Sequence, residues 1–248
     1  MKFGIISDVH ANVEALEAVL SDAGDITIIH IGDIVGYGPQ PNEIVERLAR
    51  TRGVMGNHDA ATIGRLDISE FNEKAQQSTL WTRKIITAEN AQYLGTLPYK
   101  RIIDDDPSLP FLLVHGSPYQ PHEFHYVFSL FEAEYAFKSF TQELAFIGHT
   151  HIPESYRVSH KIGETSQTAH GFGTKDILQL EAGFRYLVNV GSVGQPRDGD
   201  PAASYAILDT AARTVTWKRV PYDVAAVQAK IRATSLPTRN ASRLANGE

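Results

Sequence analysis

The chain predicts an α/β fold, and three observations carry the prediction. Short runs rich in Ile and Val, Phe3–Ile6 and Ile26–Ile31, alternate with amphipathic helical segments. Each early apolar run ends in a cluster of Gly, Asp and His, where α/β sheets gather their functional loops. Beyond His151 the texture changes to short alternating runs between turn residues, which is strand-like.

The elements follow in order. Phe3–Ile6, Ile26–Ile31 and Val54-Met55 read as buried strands. Between the first two, Asn12 can cap a helix that places Val13, Leu16, Val19 and Leu20 on one face. Pro41 suits the first position of a second helix, with Ile44, Val45 and Leu48 inward. The first 60 residues therefore read β-α-β-α-β, with parallel strands and right-handed crossovers. Residues from about Ser69 to Leu97 look helical, with Phe71, Ala75, Leu80 and Trp81 apolar. Arg101–Ile103 and Phe111–Val114 read as strands flanking a turn at Asp104–Pro110. Leu130–Phe140 reads as a helix, and Leu144–Ile147 as another buried strand.

Tyr156–Val158, Ile177–Leu180, Tyr186–Val190, Tyr205–Leu208 and Val215–Val220 suit antiparallel strands of a second sheet. Asp223 can cap a closing helix to Ile231. With no repeat and no low-complexity linker, residues 1–234 read as one domain, and the polar stretch 235–248 as a flexible tail.

Composition narrows the function classes. Of 248 residues, 42% are hydrophobic and 21% charged, ordinary for a chain with a real core. The net charge of −6 excludes the global basic field that non-specific nucleic-acid binding needs. The absence of cysteine excludes disulfides and thiolate zinc sites. The apolar run before Asp8 is too short for a signal peptide, and no stretch is long enough to span a membrane. A cytoplasmic location is expected, and no oligomeric state follows.

Five clusters carry the chemistry: Asp8-Val9-His10, Gly32-Asp33, Gly56-Asn57-His58-Asp59, His115-Gly116 and Gly148-His149-Thr150-His151. Singly, each is ordinary turn or helix-cap chemistry. Read in order, they resemble the calcineurin-like metallophosphoesterase superfamily, with a further match in the turn Gly191-Ser192-Val193-Gly194. The resemblance implies a four-layer αββα sandwich of two mixed sheets flanked by helices. It implies one divalent ion held by Asp8, His10, Asp33 and His151, and a second by Asp33, Asn57, His115 and His149, with Asp33 bridging. It also implies that His58 is an outer catalytic His, oriented by Asp59, that donates to the leaving oxygen.

The chemistry is consistent with that implication. Two ions about 3.5–4 Å apart polarise phosphate oxygens, lower the pKa of water and steady the leaving oxygen. Imidazole and carboxylate ligands without thiolate suit Mn, Fe, Zn, Co or Ni, with Mn favoured in vitro. In an extended segment His149 and His151 would share a face, whereas in a turn they can diverge to serve two ions. An imidazole suits proton transfer because its pKa lies near working pH.

The sequence also departs from one branch of the superfamily. Serine/threonine phosphoprotein phosphatases carry Gly-Asp-x-x-Asp-Arg-Gly, and the Arg grips phosphate. Here the segment is Gly32-Asp33-Ile34-Val35-Gly36-Tyr37-Gly38, with Gly36 and Tyr37 in place of Asp and Arg. The chain looks closer to the compact bacterial and archaeal phosphodiesterase-like branch. A small, nucleotide-like phosphodiester or phosphoanhydride is the expected substrate, with Asn12, Tyr37 and Arg197 as candidate substrate contacts. Arg197 follows the Gly191–Gly194 turn, which either returns its backbone N–H groups and this guanidinium to the site or is a plain hairpin.

The alternatives are a phosphomonoesterase or protein phosphatase, and a non-catalytic scaffold of the same fold. A scaffold would lack the outer His that is present here as His58. A nuclease would need a basic groove that the chain does not show. His30 reads as a satisfied core histidine. His160 and His170 are expected on surface loops. His122 and His125, among Tyr119, Phe124 and Tyr126, either line the substrate cleft or are solvated.

Overall fold

The computed structural model describes residues 1–159, 165–168 and 177–248, the segment 165–168 through its backbone alone. His160 and His170 lie outside the described residues. The opening β-α-β-α-β unit is β1 (Lys2–Ile6), α1 (Val13–Ala23), β2 (Thr27–His30), α2 (Pro41–Leu48) and β3 (Arg52–Gly53). Asn12 caps α1 by accepting the Ala15 N–H at 3.1 Å, and Pro41 opens α2. β3 is displaced from the expected Val54-Met55 and pairs through the two residues before it. The Val54 N–H still donates to the His30 carbonyl at 3.2 Å, and the backbone then leaves the sheet, the Met55 N–H donating to the Pro98 carbonyl at 2.8 Å.

The helical stretch resolves into α3 (Asn57–Thr62), α4 (Glu73–Ile85) and α5 (Ala88–Thr96). Then come β4 (Lys100–Ile103), β5 (Phe111–Val114), α6 (Leu130–Phe137), β6 (Leu144–Ile147) and β7 (Pro153–Ser159). The remainder is β8 (Thr165–Thr168), β9 (Ile177–Gln179), β10 (Phe184–Val190), β11 (Ala203–Asp209), β12 (Thr214–Val220), α7 (Val224–Arg232) and α8 (Thr238–Ser242). Asp223 caps α7 through the Ala226 N–H.

Two six-stranded mixed sheets result, ordered β3-β2-β1-β11-β12-β9 and β4-β5-β6-β10-β7-β8. The late strands do not make a second sheet of their own. β11, β12 and β9 extend the first sheet antiparallel from β1, whereas β10 inserts between β6 and β7. Alternating hydrophobicity marks a strand but not its partner, because pairing is non-local.

Alternation along each strand builds the layers. Phe3 and Ile5 of β1 face Phe111 and Leu113 of β5 in the core between the sheets, and the Phe3 and Phe111 rings meet edge-on at 5.4 Å. Outward-facing Ile6 packs in one outer cluster with Leu16 and Val19 of α1 and Ile44 and Val45 of α2. Leu112 and Val114 pack with Ala133, Ala136 and Phe137 of α6 on the other side. Burying a large apolar side chain contributes about 1.5–3 kcal/mol, so the core holds the strand ends beneath the site rigid.

The C-terminal segment corrects an expectation. Residues 238–245 form α8 and a short 3-10 turn rather than a flexible tail. Leu236, Ala241 and Leu244 are buried against Val227 and Ile231 of α7. Only Ala241 of these lies in α8, with Leu236 before it and Leu244 in the turn after it, so no helical stripe marks the segment in the sequence.

Candidate metal centre

The five clusters converge at the strand ends. Asp8 and His10 follow β1, Asp33 follows β2, Asn57 and His58 open α3, His115 follows β5, and His149 and His151 follow β6. All seven expected ligands are buried, none more than 7% exposed. Their donor atoms fall into two groups: Asp8, His10 and His151, and Asp33, His115 and His149, each with its ligand atoms within 4.8 Å of one another. His149 and His151 diverge to different groups, which their turn conformation permits.

Asp33 stands between the groups. Its Oδ2 lies 3.3 Å from His115 Nε2 and 3.8 Å from His10 Nε2. Asn57 Oδ1 is 3.1 Å from His115 Nε2, beside the second group.

The imidazoles are oriented by backbone carbonyls. The Nδ1 atoms of His10, His115 and His151 face the carbonyls of Val35, Ile31 and Gln195 at 3.1, 2.7 and 2.6 Å. A carbonyl only accepts, so Nδ1 carries the proton in all three, and Nε2 of His10 and His151 presents its lone pair to the cluster, while that of His115 faces the Asp33 carboxylate. His10 Nε2 and His151 Nε2 lie 3.2 Å apart, two lone pairs aimed at common space.

Electrostatics matches a cation-binding site. Burial holds His10, His149 and His151 well below the ordinary imidazole range, as neutral ligands. His115 goes the other way: burial lowers it, but Asp33 and Asp8 outweigh burial and raise it to about 9. Against burial, His115, His58 and His10 hold Asp33 below the usual carboxylate range. Asp8 is pushed up to about 6 by burial, and its Oδ1 has no hydrogen-bond partner. That oxygen lies 3.2 Å from His151 Nε2 and 3.9 Å from His115 Nε2. A buried carboxylate oxygen without a donor is costly, and a divalent cation satisfies it. The residues present therefore fit a pair of divalent ions.

The backbone is bent to make this arrangement. Asp8, His10, Ala11, Asp33, Tyr37, His149 and His151 all have φ between 47° and 68°, the left-handed region that side chains avoid. Tertiary hydrogen bonds hold them there: His10 N–H to the Asp33 carbonyl at 3.0 Å, and Ala11 N–H to the Ile34 carbonyl at 3.0 Å. Such strain clusters where a site over-determines the chain. Gly56 is required by close approach, since a Cβ there would sit 2.0 Å from Asp33 Oδ1.

His58 lies beside the cluster without joining either group. Its ring packs 4.5 Å from Tyr37, 5.1 Å from His10 and 5.2 Å from Phe71. Burial lowers its pKa to about 4. Asp59 does not touch the His58 ring as expected. Its carboxylate accepts the Val35 N–H at 3.2 Å and the Gly56 N–H at 3.0 Å, tying the loop after β2 to the loop after β3. Among the described residues His58 Nδ1 has no partner. Gly36 accounts for the missing Asp of the phosphoprotein motif: it has φ +91°, and a Cβ there would meet His58 Nδ1 at 2.8 Å.

Asn12 is a structural tie rather than a substrate contact. Its amide oxygen caps α1, its NH₂ donates to the Gly194 carbonyl at 2.9 Å, and it is 1% exposed. The Gly191 turn does return to the site, but as a clamp. Its N–H groups at Val193 and Gly194 donate to the carbonyls of Ser7 and Asp8, so they are not left to cradle an anion. Of the two readings left open for Arg197, the structure places its side chain beside Tyr37. Its guanidinium lies 5.7 Å from the Tyr37 ring centroid, its Nε is buried without a partner, and its charge lowers His10, His58 and His151.

His30 is a core histidine in neither group, as expected, but not a satisfied one: it is fully buried, and among the described residues its Nδ1 has no partner. His122 is exposed beside Glu123, whereas His125 lines a groove next to the site. Two contacts have no sequence signal. Asn240 of α8 donates to the carbonyl of left-handed Tyr37 at 2.9 Å, and the Tyr126 ring lies on His149 at 3.8 Å.

This fold and these paired clusters define a metallophosphoesterase. The chain belongs to the calcineurin-like phosphoesterase superfamily, whose domain model matches residues 1–213. It is similar to a metallophosphoesterase of Sphaerobacter thermophilus of known crystal structure: 44% identity, TM-score 0.85, covering 100% of this chain and 99% of that one. An uncharacterized protein of Methanocaldococcus jannaschii is 36% identical over 247 residues, 97% of this chain and 96% of that one. A hypothetical protein of Pyrococcus horikoshii shares the fold at 20% identity, with TM-score 0.76 over 100% of this chain and 98% of that one. None of the helices among the described residues is long and apolar enough to cross a membrane.

Proposed function

We propose that this chain is a two-metal phosphoesterase that hydrolyses a phosphodiester or phosphoanhydride bond of a small nucleotide-like substrate. The observation that carries the reading is the convergence of two ligand groups on Asp33, with neutral His58 alongside. Asp8, His10, Asp33 and His151 would hold one ion, and Asp33, Asn57, His115 and His149 the other. Bound there, two divalent ions supply Lewis acidity toward phosphate oxygens and lower the pKa of water.

The chain's own groups do the rest. His58, neutral when the site is empty of substrate, donates an imidazole N–H to the leaving oxygen. An approaching phosphate anion raises its proton affinity, as any nearby negative charge does. Arg197 contributes a guanidinium fork to a non-reacting phosphate oxygen. Tyr37 and Phe71 wall the His58 ring and exclude water from it.

Substrate charge favours diesters. A monoester carries about two negative charges near neutral pH and a diester about one. With Tyr37 in place of a phosphate-gripping Arg, the dianion loses more attraction than the monoanion. The test is a hydrolysis screen of the Mn-loaded protein against matched monoesters, diesters, cyclic nucleotides and dinucleoside polyphosphates. A higher kcat/KM for diesters or polyphosphates than for matched monoesters is expected. A preference for phosphoserine peptides or simple monoesters overturns the assignment in favour of a phosphomonoesterase.

A further inference from the structure

Beside the ligand groups lies a second concavity that the reaction above leaves unused. Ser117, Tyr119, His125, Tyr126, Phe131 and Tyr135 line a groove of about 420 Å³. Its volume is in the range of small-molecule sites, about 300–1,000 Å³. Single exposed aromatics are ordinary, but here Tyr119, Tyr126, Phe131 and Tyr135 are 42–67% exposed on one concave surface.

Three features tie the groove to the centre. Tyr126 is its inner wall, and the same ring stacks on His149 at 3.8 Å and 13°, so one ring separates the groove from the second ligand group. The loop that forms it starts at the ligand His115 and closes on itself through the Ser117 N–H to the His125 carbonyl at 2.8 Å. Gln120 and Phe124 in this loop are left-handed, at φ 47° and 52°, the same kind of strain that marks the ligand loops.

We infer that this groove binds the nucleobase of a nucleoside phosphoester whose phosphorus sits at the ligand groups. The inference rests on the phosphoesterase reading above and names the part of the substrate next to the reacting phosphate. The lining is aromatic rather than aliphatic, which suits a flat ring more than an alkyl chain. Tyr126 lies parallel to Phe128 at 18° and Tyr119 to His125 at 20°, so the walls are flat faces. Bases stack on such faces with little regard to identity. The Ser117 oxygen already accepts the Tyr119 N–H and Glu132 Oε2 the Ser129 hydroxyl, which leaves the Ser117 hydroxyl hydrogen and Glu132 Oε1 as the donor and acceptor that a base needs and a plain hydrocarbon does not. No Lys or Arg is among the described lining residues, so the groove takes a neutral ring and not a second phosphate.

The experiment separates the groove from the chemistry. Adenosine, uridine and ribose, all without phosphate, are titrated into the full-length protein and followed by tyrosine fluorescence and ligand-observed NMR. Both nucleosides should bind and ribose should not. Phe131→Ala and Tyr135→Ala should each weaken nucleoside binding about fivefold to tenfold. In the same variants, the ratio of kcat/KM for a dinucleoside monophosphate to that for diethyl phosphate should fall about tenfold, chiefly through KM. Nucleosides binding no better than ribose, or an unchanged ratio, overturns the proposal. So does sedimentation showing a wild-type oligomer that Phe131→Ala dissociates and nucleosides do not perturb, which makes this face a contact between copies. Nucleoside binding without hydrolysis of any phosphoester leaves the groove standing and refutes the phosphoesterase reading. The variants are surface substitutions checked by circular dichroism, and the wild-type titration stands independently of them.

Discussion

The ligand centre and the aromatic groove share a wall, Tyr126, yet they are built on opposite principles. In the centre every ligand is buried, and three imidazoles are locked by carbonyls. The groove is exposed, and its rings are held mostly by each other. Geometry matters to within tenths of an ångström where charge must be placed, and much less where a flat face must only be offered. Changes in the centre should therefore act on kcat and metal content, and changes at the rim on KM.

The largest expected effect is at the shared ligand. Asp33→Asn removes a charge that both groups use, so both metal positions should weaken together. Turnover should fall on the order of 10⁴-fold or more, as for residues that act as one unit. His10→Ala should chiefly weaken one position. Elemental analysis checks this, and one tightly held ion remaining in Asp33→Asn would break the picture of a shared bridge.

Next comes His58, which lies inside the buried region but outside the ligand set. His58→Ala should keep both ions and lower kcat roughly 10²–10⁴-fold, the usual scale for a positioned acid. The substrate must be an unactivated diester, because nitrophenolate leaves without help. Loss of metal in this variant would mean that His58 is a ligand.

Arg197 lies outside both the ligand set and the groove, and its substitution should be milder. Arg197→Ala should lower kcat/KM about tenfold through KM, with metal content unchanged, whereas Tyr37→Arg should move preference toward monoesters. A collapse of kcat with metal loss in Arg197→Ala would place it in the centre instead.

No effect on turnover is expected at His30, an internal control for buried imidazoles, whose substitution acts on stability instead. It is as buried as the ligands, but its Nδ1 has no partner among the described residues and Tyr93 Oη is 3.4 Å from its Nε2. Burial lowers its pKa from 6.5 to about 3. Because the unfolded state takes up the proton first, the stability contributed by neutral His30 is complete above pH 6.5 and falls as pH drops toward 3. The loss is about 1.4 kcal/mol per pH unit. His30→Gln should flatten the fall in urea midpoint between pH 6.5 and 5 in metal-stripped protein. Identical slopes in wild type and variant would show that His30 does not titrate on unfolding.

Much of this was legible in the chain. The first two strands, their helices, the caps at Asn12 and Asp223 and the start of α2 at Pro41 follow from local pattern. What the pattern did not carry was pairing. β10 and β11 read alike, yet they sit in different sheets. The resemblance implied that Asp59 orients His58, but in space its oxygens reach the backbone of Val35 and Gly56.

The sequence by itself determined the α/β class and the ordered set Asp8, His10, Asp33, Asn57, His58, His115, His149 and His151. Apolar runs mark the strands, and polar residues at their ends have no other place to go. Only the tertiary structure decided which carbonyl orients each imidazole, that Asn12 also ties down the Gly191 turn, that Asn240 steadies Tyr37, and that Tyr126 lies on His149. Those contacts join residues far apart in the chain. Their partners are chosen by how two sheets and their helices pack, and no local pattern records that packing.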